Sequence, residues 1–570
     1  MIKNKNPYRG VWGDAGRHLR VFFIRAILYL ATTLVAWEKS IMGNRRTRRK
    51  RKQHINKVQG QRLAAEFKGQ DLSRVLVVAI DGAKKSHKAL LADGFGEIIT
   101  DTFGFPNDLA GAKMFAGSVR KAAVDINAFK IIVGLEPTGH YAENLVAYLL
   151  EQGFDVRQVN SFAVSREREA GLTWSKTDEI DLCAIGQLII NGKSSPLGHT
   201  EAIYDNMKYA ARARRSTIQR TVLLESQIHA YMDRLFPGFL DRDLFSDPFG
   251  LTSMAFMARY SSANAACRAG ATRIERWLSS RRGVSNPHEI TQAVVELAQG
   301  ALRRPADHEE ALIEALRFRL REHDLLEEQV GSLNIRLAEY LVETPGIWLL
   351  AIDRVSVVSA AEYLGELGQI SRYDGANQII ARAGMVPRET QSGMIAYSGG
   401  ITKLGHPKLR YILGVIGHNL LTSNRYFQAF YNRLVDRGGK NERLAKTAVA
   451  GKFVRVSWAM MNLKGAFEAP TWCEDDLKKD IRTKMERFLK QFGASQIYRN
   501  SIGPRLDKVL VSGGQPSTSN SITGSHQLPS ASGTHEEHDR ASTKPIHIGS
   551  LIPVVLGQMA AEQDVEAHMA

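Results

Sequence analysis

The sequence predicts a mixed α/β domain in its first third, followed by a longer, mainly helical remainder. Three observations predict it. Short β-rich apolar runs alternate with helical stretches between residues 75 and 190, apolar residues recur at three- and four-residue spacing from 200 onward, and the Gly-, Ser- and Thr-rich stretch from Ser512 to Lys544 breaks all periodicity. In order, RVLVVAID from Arg74 reads as a buried strand, and HKALLAD and GEIITDTF read as two more with turn residues between them. A helical stretch over 108–123 leads to the apolar strand KIIVGLE, then a helix through NLVAYLLEQ and a strand at FDVRQVN. Residues 177–192 place Ile180, Ala184, Ile185 and Leu188 at helical spacing.

Residues 200–340 are helix-compatible, with 241–305 less regular. From Glu309 to Tyr340, Leu312, Leu316, Leu320, Leu325, Val330, Leu333 and Leu337 predict a long helical hairpin or coiled coil. A further compact region opens at Thr344-Pro345-Gly346-Ile347 and includes a helix from Pro407 whose face is Leu409, Ile412, Leu413, Ile416 and Leu420. The expected division is a basic extension over 1–70, an α/β domain over 71–198, a helical connector or coiled coil over 199–340, a mainly α domain over 341–468, a helical segment over 469–510 and a disordered tail over 511–570.

At 570 residues, with 44% hydrophobic and 24% charged, the chain is too long for a disulfide-stapled scaffold and has ordinary globular composition. Cys183, Cys267 and Cys473 form no C-x-x-C pair, so neither a disulfide framework nor a cysteine zinc site is expected, and a cytoplasmic location fits. The net charge of +17 is uneven. Residues 1–60 hold 15 Lys and Arg against Asp14 and Glu38, while 511–570 hold two basic against six acidic residues, which leaves the body mildly basic. This basicity favours a polyanionic partner such as nucleic acid, or an anionic membrane surface, without choosing between them. The apolar stretch over 21–37 is at the short limit for a membrane span and is interrupted by Arg25, so a membrane partner is not expected. The run of basic residues over 45–52 reads either as a solvated arm or as a phosphate contact.

Asp81 ends the first buried strand, and Glu136 occupies the same place on the second apolar strand. Asp178 and Asp181 stand three apart, so a helix places both on one face. An aspartate at a strand end also serves as a turn former, and one at a helix start as a cap. Four carboxylates converging at one end of a sheet repel one another unless cations neutralise them. Hard oxygen donors select Mg²⁺ or Mn²⁺, which suits in-line phosphoryl transfer.

The segments IDGAKKSHKALLAD, GLEPTGHYAENLVAYLLEQGFDVRQVNS and SKTDEIDLCAIGQLI resemble the DEDD-type transposases of the insertion-sequence-110 family. That resemblance implies a RuvC-like, RNase H-like fold over about 75–190, with metal ligands at Asp81, Glu136, Asp178 and Asp181. Ser161 departs from the family's usual proline without touching these four. The region AGMVPRETQSGMIAYSGGITKLGHPKLRYIL resembles the family's C-terminal transposase domain, which follows a helical connector and opens with a PGI helix-hairpin-like element. Trp348 replaces a small residue there.

Read by itself, a serine in a glycine-rich loop is a turn residue. The resemblance implies a catalytic serine nucleophile, which falls on Ser392, with Ser398 as the alternative. It further implies DNA as substrate, an element-encoded non-coding guide RNA, and a dimer or tetramer in which two protomers could share a site. Lys403, Lys408, Arg410, Arg212 and Arg215 are candidate nucleic-acid contacts, although a basic helix face is also simply solvated. Arg425, Arg433, Arg437, Lys440 and Arg443, near Tyr426, Phe427, Phe430 and Tyr431, invite the same two readings. His87, His140 and His406 lack the spacing of a zinc site and are expected to pack or hydrogen-bond. The competing functions are a RuvC-like nuclease using water, a non-catalytic nucleic-acid-binding relic, and an actin-like sugar kinase, for which no second phosphate loop is found.

Overall fold

The computed structural model describes residues 63–136, 139–170, 177–198, 200–392, 395–436, 441–462 and 471–511, and the side chains of 389–399, 462 and 471–476 lie outside that description. The apolar stretch at 21–37, the basic run at 45–52, Gly393, Arg437, Lys440 and the tail from Ser512 fall outside the described residues. The chain divides into two compact units between Glu201 and Ala202.

The first unit is built on β1 (Val75–Asp81), β2 (Ser86–Asp93), β3 (Ile98–Pro106), β4 (Lys130–Leu135), β5 (Asp155–Val159) and the short β6 (Ser194–Pro196). They form one sheet in the order β3-β2-β1-β4-β5-β6. β1, β2 and β3 pair antiparallel, β1–β4 and β4–β5 parallel, and β6 closes the edge antiparallel. Helices α1 (Leu109–Asp125) and α2 (Glu143–Glu151) belong to one face, and α3 (Ser161–Ala170) and α4 (Asp178–Ile190) to the other. Side chains alternate along a strand. Leu76, Val78 and Ile80 of β1 therefore pack with Phe115 and Val119 of α1, while Val75, Val77 and Ala79 pack with Leu182, Ile185 and Ile189 of α4. Burial on both faces explains the uninterrupted apolar run. Each buried Val, Leu or Ile stabilises by about 1.5–3 kcal/mol, which anchors β1 as the centre of the unit.

The strands and helices expected over 75–190 are present, and α3 is an addition. Its sequence is charged and only Val164 is buried, so periodicity gave no signal. Asn160 starts it, with its Oδ1 accepting from Phe162 N at 2.9 Å. Arg157 on β5 is buried, and Glu66 and Asp155 accept from its guanidinium, Glu66 through both oxygens. Pairing is what lets a guanidinium sit inside a fold.

In the second unit, α5 (Ala202–Leu235) runs along α9 (Glu310–Leu341). Cross-links Arg214–Asn334 and Arg220–Glu322 show that the two are antiparallel, so 310–341 is one continuous helix paired with a helix distant in sequence. The seam differs in detail. Leu325 is exposed and Leu326 faces inward, because a straight helix repeats every 3.6 residues and drifts off a fixed spacing. The irregular 241–305 holds α6 (Leu251–Arg259), α7 (Ala263–Ser279) and α8 (Pro287–Gly300), which share a core with the far end of the hairpin around Phe236, Phe256 and Trp277.

A second core joins the start of α5 and the end of α9 to the rest of the unit. A 3₁₀ segment over Pro345–Ala351 carries Trp348 into this core, and α10 (Val357–Leu367) is buried on nearly every side. Then follow α11 (Ala376–Arg382), the hairpin β7 (Pro387–Ser392) and β8 (Ile395–Ile401), α12 (Pro407–Ser423), α13 (Arg425–Asp436), α14 (Glu442–Asn462), α15 (Thr471–Gln491) and α16 (Gly503–Val511). The face expected of α12 is buried at all five positions. The hairpin was not expected, because its residues are polar and glycine-rich. Since the core passes through 341, the helices of 202–341 and the residues that follow form one body.

Candidate functional site

Ile80 on β1 pairs with Leu135 on β4, so the next residues on these parallel strands, Asp81 and Glu136, leave the sheet side by side. Adjacent strands lie about 4.8 Å apart. Alternation assigns their faces. Val75, Val77 and Ala79 share the α4 face with Asp81, and on β4 Ile132 shares it with Gly134 and Glu136. The first turn of α4 supplies Asp178 and Asp181 to the same face. Thr177 is its N-cap, accepting from Ile180 N at 3.3 Å, and the positive end of the helix dipole favours carboxylates there. The topology thus brings all four predicted acids to one end of one sheet face.

Two cations that sequence reasoning missed stand among them. Lys88 is paired with Asp81 in the β1–β2 register, and its Nζ lies 2.7 Å from Asp178 Oδ2. The Asp178 hydrogen bond and charge, with smaller contributions from Glu179 and Asp81, raise the Lys88 pKa, so its ammonium is charged. Arg168 of α3 pairs with Asp181. Among the described residues no three Asp, Glu, His or Cys side chains stand close enough to hold one ion. Two of the four acids are turned to cations instead. As a donor set, four carboxylates on converging elements fit a hard divalent ion such as Mg²⁺ or Mn²⁺.

The turn after Asp81 is fixed from two sides. His87, 1% exposed, accepts from Ala83 N through Nδ1 at 3.2 Å and packs at a tilt against the Phe105 ring. Asn107 Nδ2 donates to the carbonyls of Ala83, Lys84 and Tyr141, tying the loop after β1 to the loop after β4. His140 packs against Tyr141.

In the second unit, Ser392 is the last residue of β7 and pairs with Ile395 across the hairpin tip, while Ser398 lies opposite Glu389 within β8. The side chains of both serines lie outside the described residues. The hairpin base is tightly built. Gly384 has φ +65°, and a Cβ on Gly405 would lie 2.5 Å from Gly384 N, so the two loops meet only because both residues are glycine. His406 is the N-cap of α12, with Nδ1 accepting from Leu409 N at 3.1 Å, and Pro407 follows at the first helical position. Burial, partly offset by Glu366, pushes the imidazole down to about 4, so the cap is neutral. Arg410 donates to the carbonyls of Ala383 and Lys403, which gives it a structural part in holding the base. Lys403 and Lys408 are exposed. Beside this base a cavity of about 160 Å³ is lined by Met385, Ile401, Arg410, Gly414, His418 and Lys446.

Arg212 and Arg215 are partly buried and turned toward α10. Arg212 grips Glu366 of α10 through Nε and Nη2 at 2.9 and 2.8 Å, and Arg215 pairs with Glu362 and lies over the Tyr411 ring. Glu362 and Glu366 are 7% and 4% exposed, and buried carboxylates require partners. Burial alone would raise the Glu366 pKa; the Arg212 hydrogen bonds and charge outweigh it and hold the carboxyl below its ordinary 4.5. The legible signal was on the other helix, two glutamates four apart in an otherwise apolar run. Phe427 is core, and Lys452 lies over the Phe430 ring.

A family model described as a transposase, of the DEDD IS110 type, matches residues 78–237. A second, for transposases of the IS116/IS110/IS902 family, matches 348–432. The first span takes in the four acids and the second both serines. A curated relative in Streptomyces clavuligerus, the insertion element IS116 uncharacterized 44.8 kDa protein, is 24% identical over 407 residues, covering 68% of this chain and 95% of the relative. No helix among the described residues is long and apolar enough to cross a membrane.

Proposed function

The chain belongs to the IS110 family of insertion-sequence transposases, DNA-processing enzymes, and from that premise we propose that it breaks and rejoins DNA by phosphoryl transfer through a serine nucleophile. One observation carries the reading. Asp81, Glu136, Asp178 and Asp181 come from three separate elements to one end of the α4 face, an arrangement that is of no use to the core. The mixed sheet with Asp81 at the end of a central strand supports an RNase H-like, RuvC-like first domain.

Asp81, Glu136, Asp178 and Asp181 would hold Mg²⁺ or Mn²⁺. When bound, such ions supply Lewis-acid stabilisation of the charge developing on the attacking and leaving oxygens. Ser392 supplies the attacking hydroxyl. Its Oγ forms a bond to phosphorus as the bond to one deoxyribose oxygen breaks, and that oxygen takes up a proton. The phosphoserine ester keeps the bond energy for the reverse attack by a DNA hydroxyl, which rejoins the strand. The glycine crossing at Gly384 and Gly405 holds the hairpin that bears the serine, and exposed Lys403 and Lys408 offer charge to the DNA backbone. The family resemblance further supports a non-coding guide RNA that chooses target DNA by base pairing, assembly as a homo-oligomer, and action in the cytoplasm.

The test is a denaturing-gel assay for a covalent protein–DNA adduct with flanking DNA, its transcript and Mg²⁺. An adduct is expected for the parent chain, and none for Ser392→Ala or Asp81→Asn. Cutting without an adduct, retained in Ser392→Ala, would make the protein a hydrolytic nuclease.

A further inference from the structure

Lys88 is the one side chain that ties β2 to the acidic start of α4 by an ion pair among the described contacts, and it sits between two of the four acids rather than beside them. It shares the α4 face with Leu90 by alternation, lies opposite Asp81 in register, and reaches Asp178 at 2.7 Å. Its partner pair is half-exposed on both sides, at 47% and 54%. Arg168–Asp181 is more sheltered, at 19% and 15%. An exposed ion pair contributes little to stability, so it exchanges readily for a stronger cation, whereas a sheltered one persists. The four acids therefore divide: Asp178 is held by a bond easily given up, and Asp181 by one that is not.

We propose that Lys88 is a positioning residue of the carboxylate site, a resident monovalent cation that holds Asp178 until a divalent ion displaces it and so weakens the site's affinity for Mg²⁺ or Mn²⁺. This rests on the divalent-ion reading of the four acids. The chemistry is competition for one carboxylate. A compact ammonium on a flexible stem neutralises Asp178 in the ion-free protein and limits repulsion with Asp81 across the strand pair. On ion binding, Asp178 changes partner and the ammonium swings toward solvent. Lys88 thereby sets a threshold, since ion binding must overcome both the broken pair and the charge left nearby.

The experiment is a titration of the full chain with Mn²⁺ alone, without DNA, following unbound Mn²⁺ by its paramagnetic resonance signal. Lys88→Gln is expected to bind Mn²⁺ about fivefold more tightly than the parent, the factor that an exposed ion pair at the top of its range provides. Lys88→Arg, which keeps the charge, should stay near the parent value, and Asp178→Asn should bind more weakly. Lys88→Met should tighten binding as Lys88→Gln does, which guards against disturbance of the strand by the amide. A lysine serving only to brace the fold would lose affinity on removal, so the direction separates the two roles. If the parent binds Mn²⁺ in a manner that Asp81→Asn abolishes, yet Lys88→Gln binds equally or less tightly, the role of Lys88 is overturned and the ion site stands. Absence of binding by both the parent and Lys88→Gln overturns the two together.

Discussion

Gly134→Ala tests whether the seating of α4 on β4 sets the geometry of the carboxylate end. A Cβ at Gly134 would lie 2.8 Å from Cγ1 of Ile189 and nearer still to its Cδ1, against about 3.5–4.0 Å for a relaxed carbon contact. Ile189 is fully buried in the layer between sheet and helix. Close packing leaves it nowhere to retreat, so the helix itself must lift by roughly an ångström. Overpacking of this kind costs about 1–3 kcal/mol. At about 1.4 kcal/mol per tenfold, local opening becomes roughly 5- to 150-fold more frequent. Hydrogen–deuterium exchange of the full chain, read by mass spectrometry on peptides spanning β4 and α4, should show protection falling by that factor. Strand cleavage should fall with it, because Asp178 and Asp181 ride on the displaced helix. Ile189→Ala alone opens a cavity at about 2–5 kcal/mol. Combined with Gly134→Ala it should cost less than the sum, with a coupling of at least about 1 kcal/mol. Unchanged protection in Gly134→Ala, or strict additivity of the pair, would refute the claim that this contact seats the helix.

Two further outcomes concern the second unit. His406 has a folded pKa pushed down to about 4 from 6.5, so the unfolded chain binds the proton more readily. Its contribution is fully present above about pH 6.5 and is lost as pH falls toward 4, with a slope approaching ~1.4 kcal/mol per pH unit. Denaturation midpoints between pH 7 and 4 should flatten in His406→Asn, which keeps a neutral capping side chain, and an unaltered pH profile would count against the neutral cap. Arg212→Ala should strand the buried Glu366 carboxylate and destabilise by about 3–5 kcal/mol in denaturant titration. If Arg212 were a phosphate contact, the loss would instead appear as weaker DNA binding and a salt slope reduced by about one, with stability intact.

Much of the site was legible from local pattern. β1 has no polar residue before Asp81, and a strand buried on both faces must deliver its next side chain at the sheet end. KIIVGLE repeats that logic for Glu136, and the three-residue spacing of Asp178 and Asp181 fixes a shared helix face. The inward stripe of α9 and the apolar face of α12 followed from periodicity in the same way. The β7–β8 hairpin was hidden because its residues are polar and glycine-rich, and α3 because it buries only Val164.

The sequence by itself determined which residues lie at element ends and which stripes turn inward, because burial and backbone periodicity act over a few neighbouring residues. Tertiary structure alone decided which charges meet. Lys88 reaches Asp178 across 90 residues, Arg168 reaches Asp181 from a separate helix, and Arg212 finds Glu366 across 154. An ion pair depends on distance and local dielectric, and neither exists until the chain has folded. The basic stretch of α5 reads in sequence as either a nucleic-acid contact or a solvated face, and only the fold places two buried glutamates of α10 against Arg212 and Arg215.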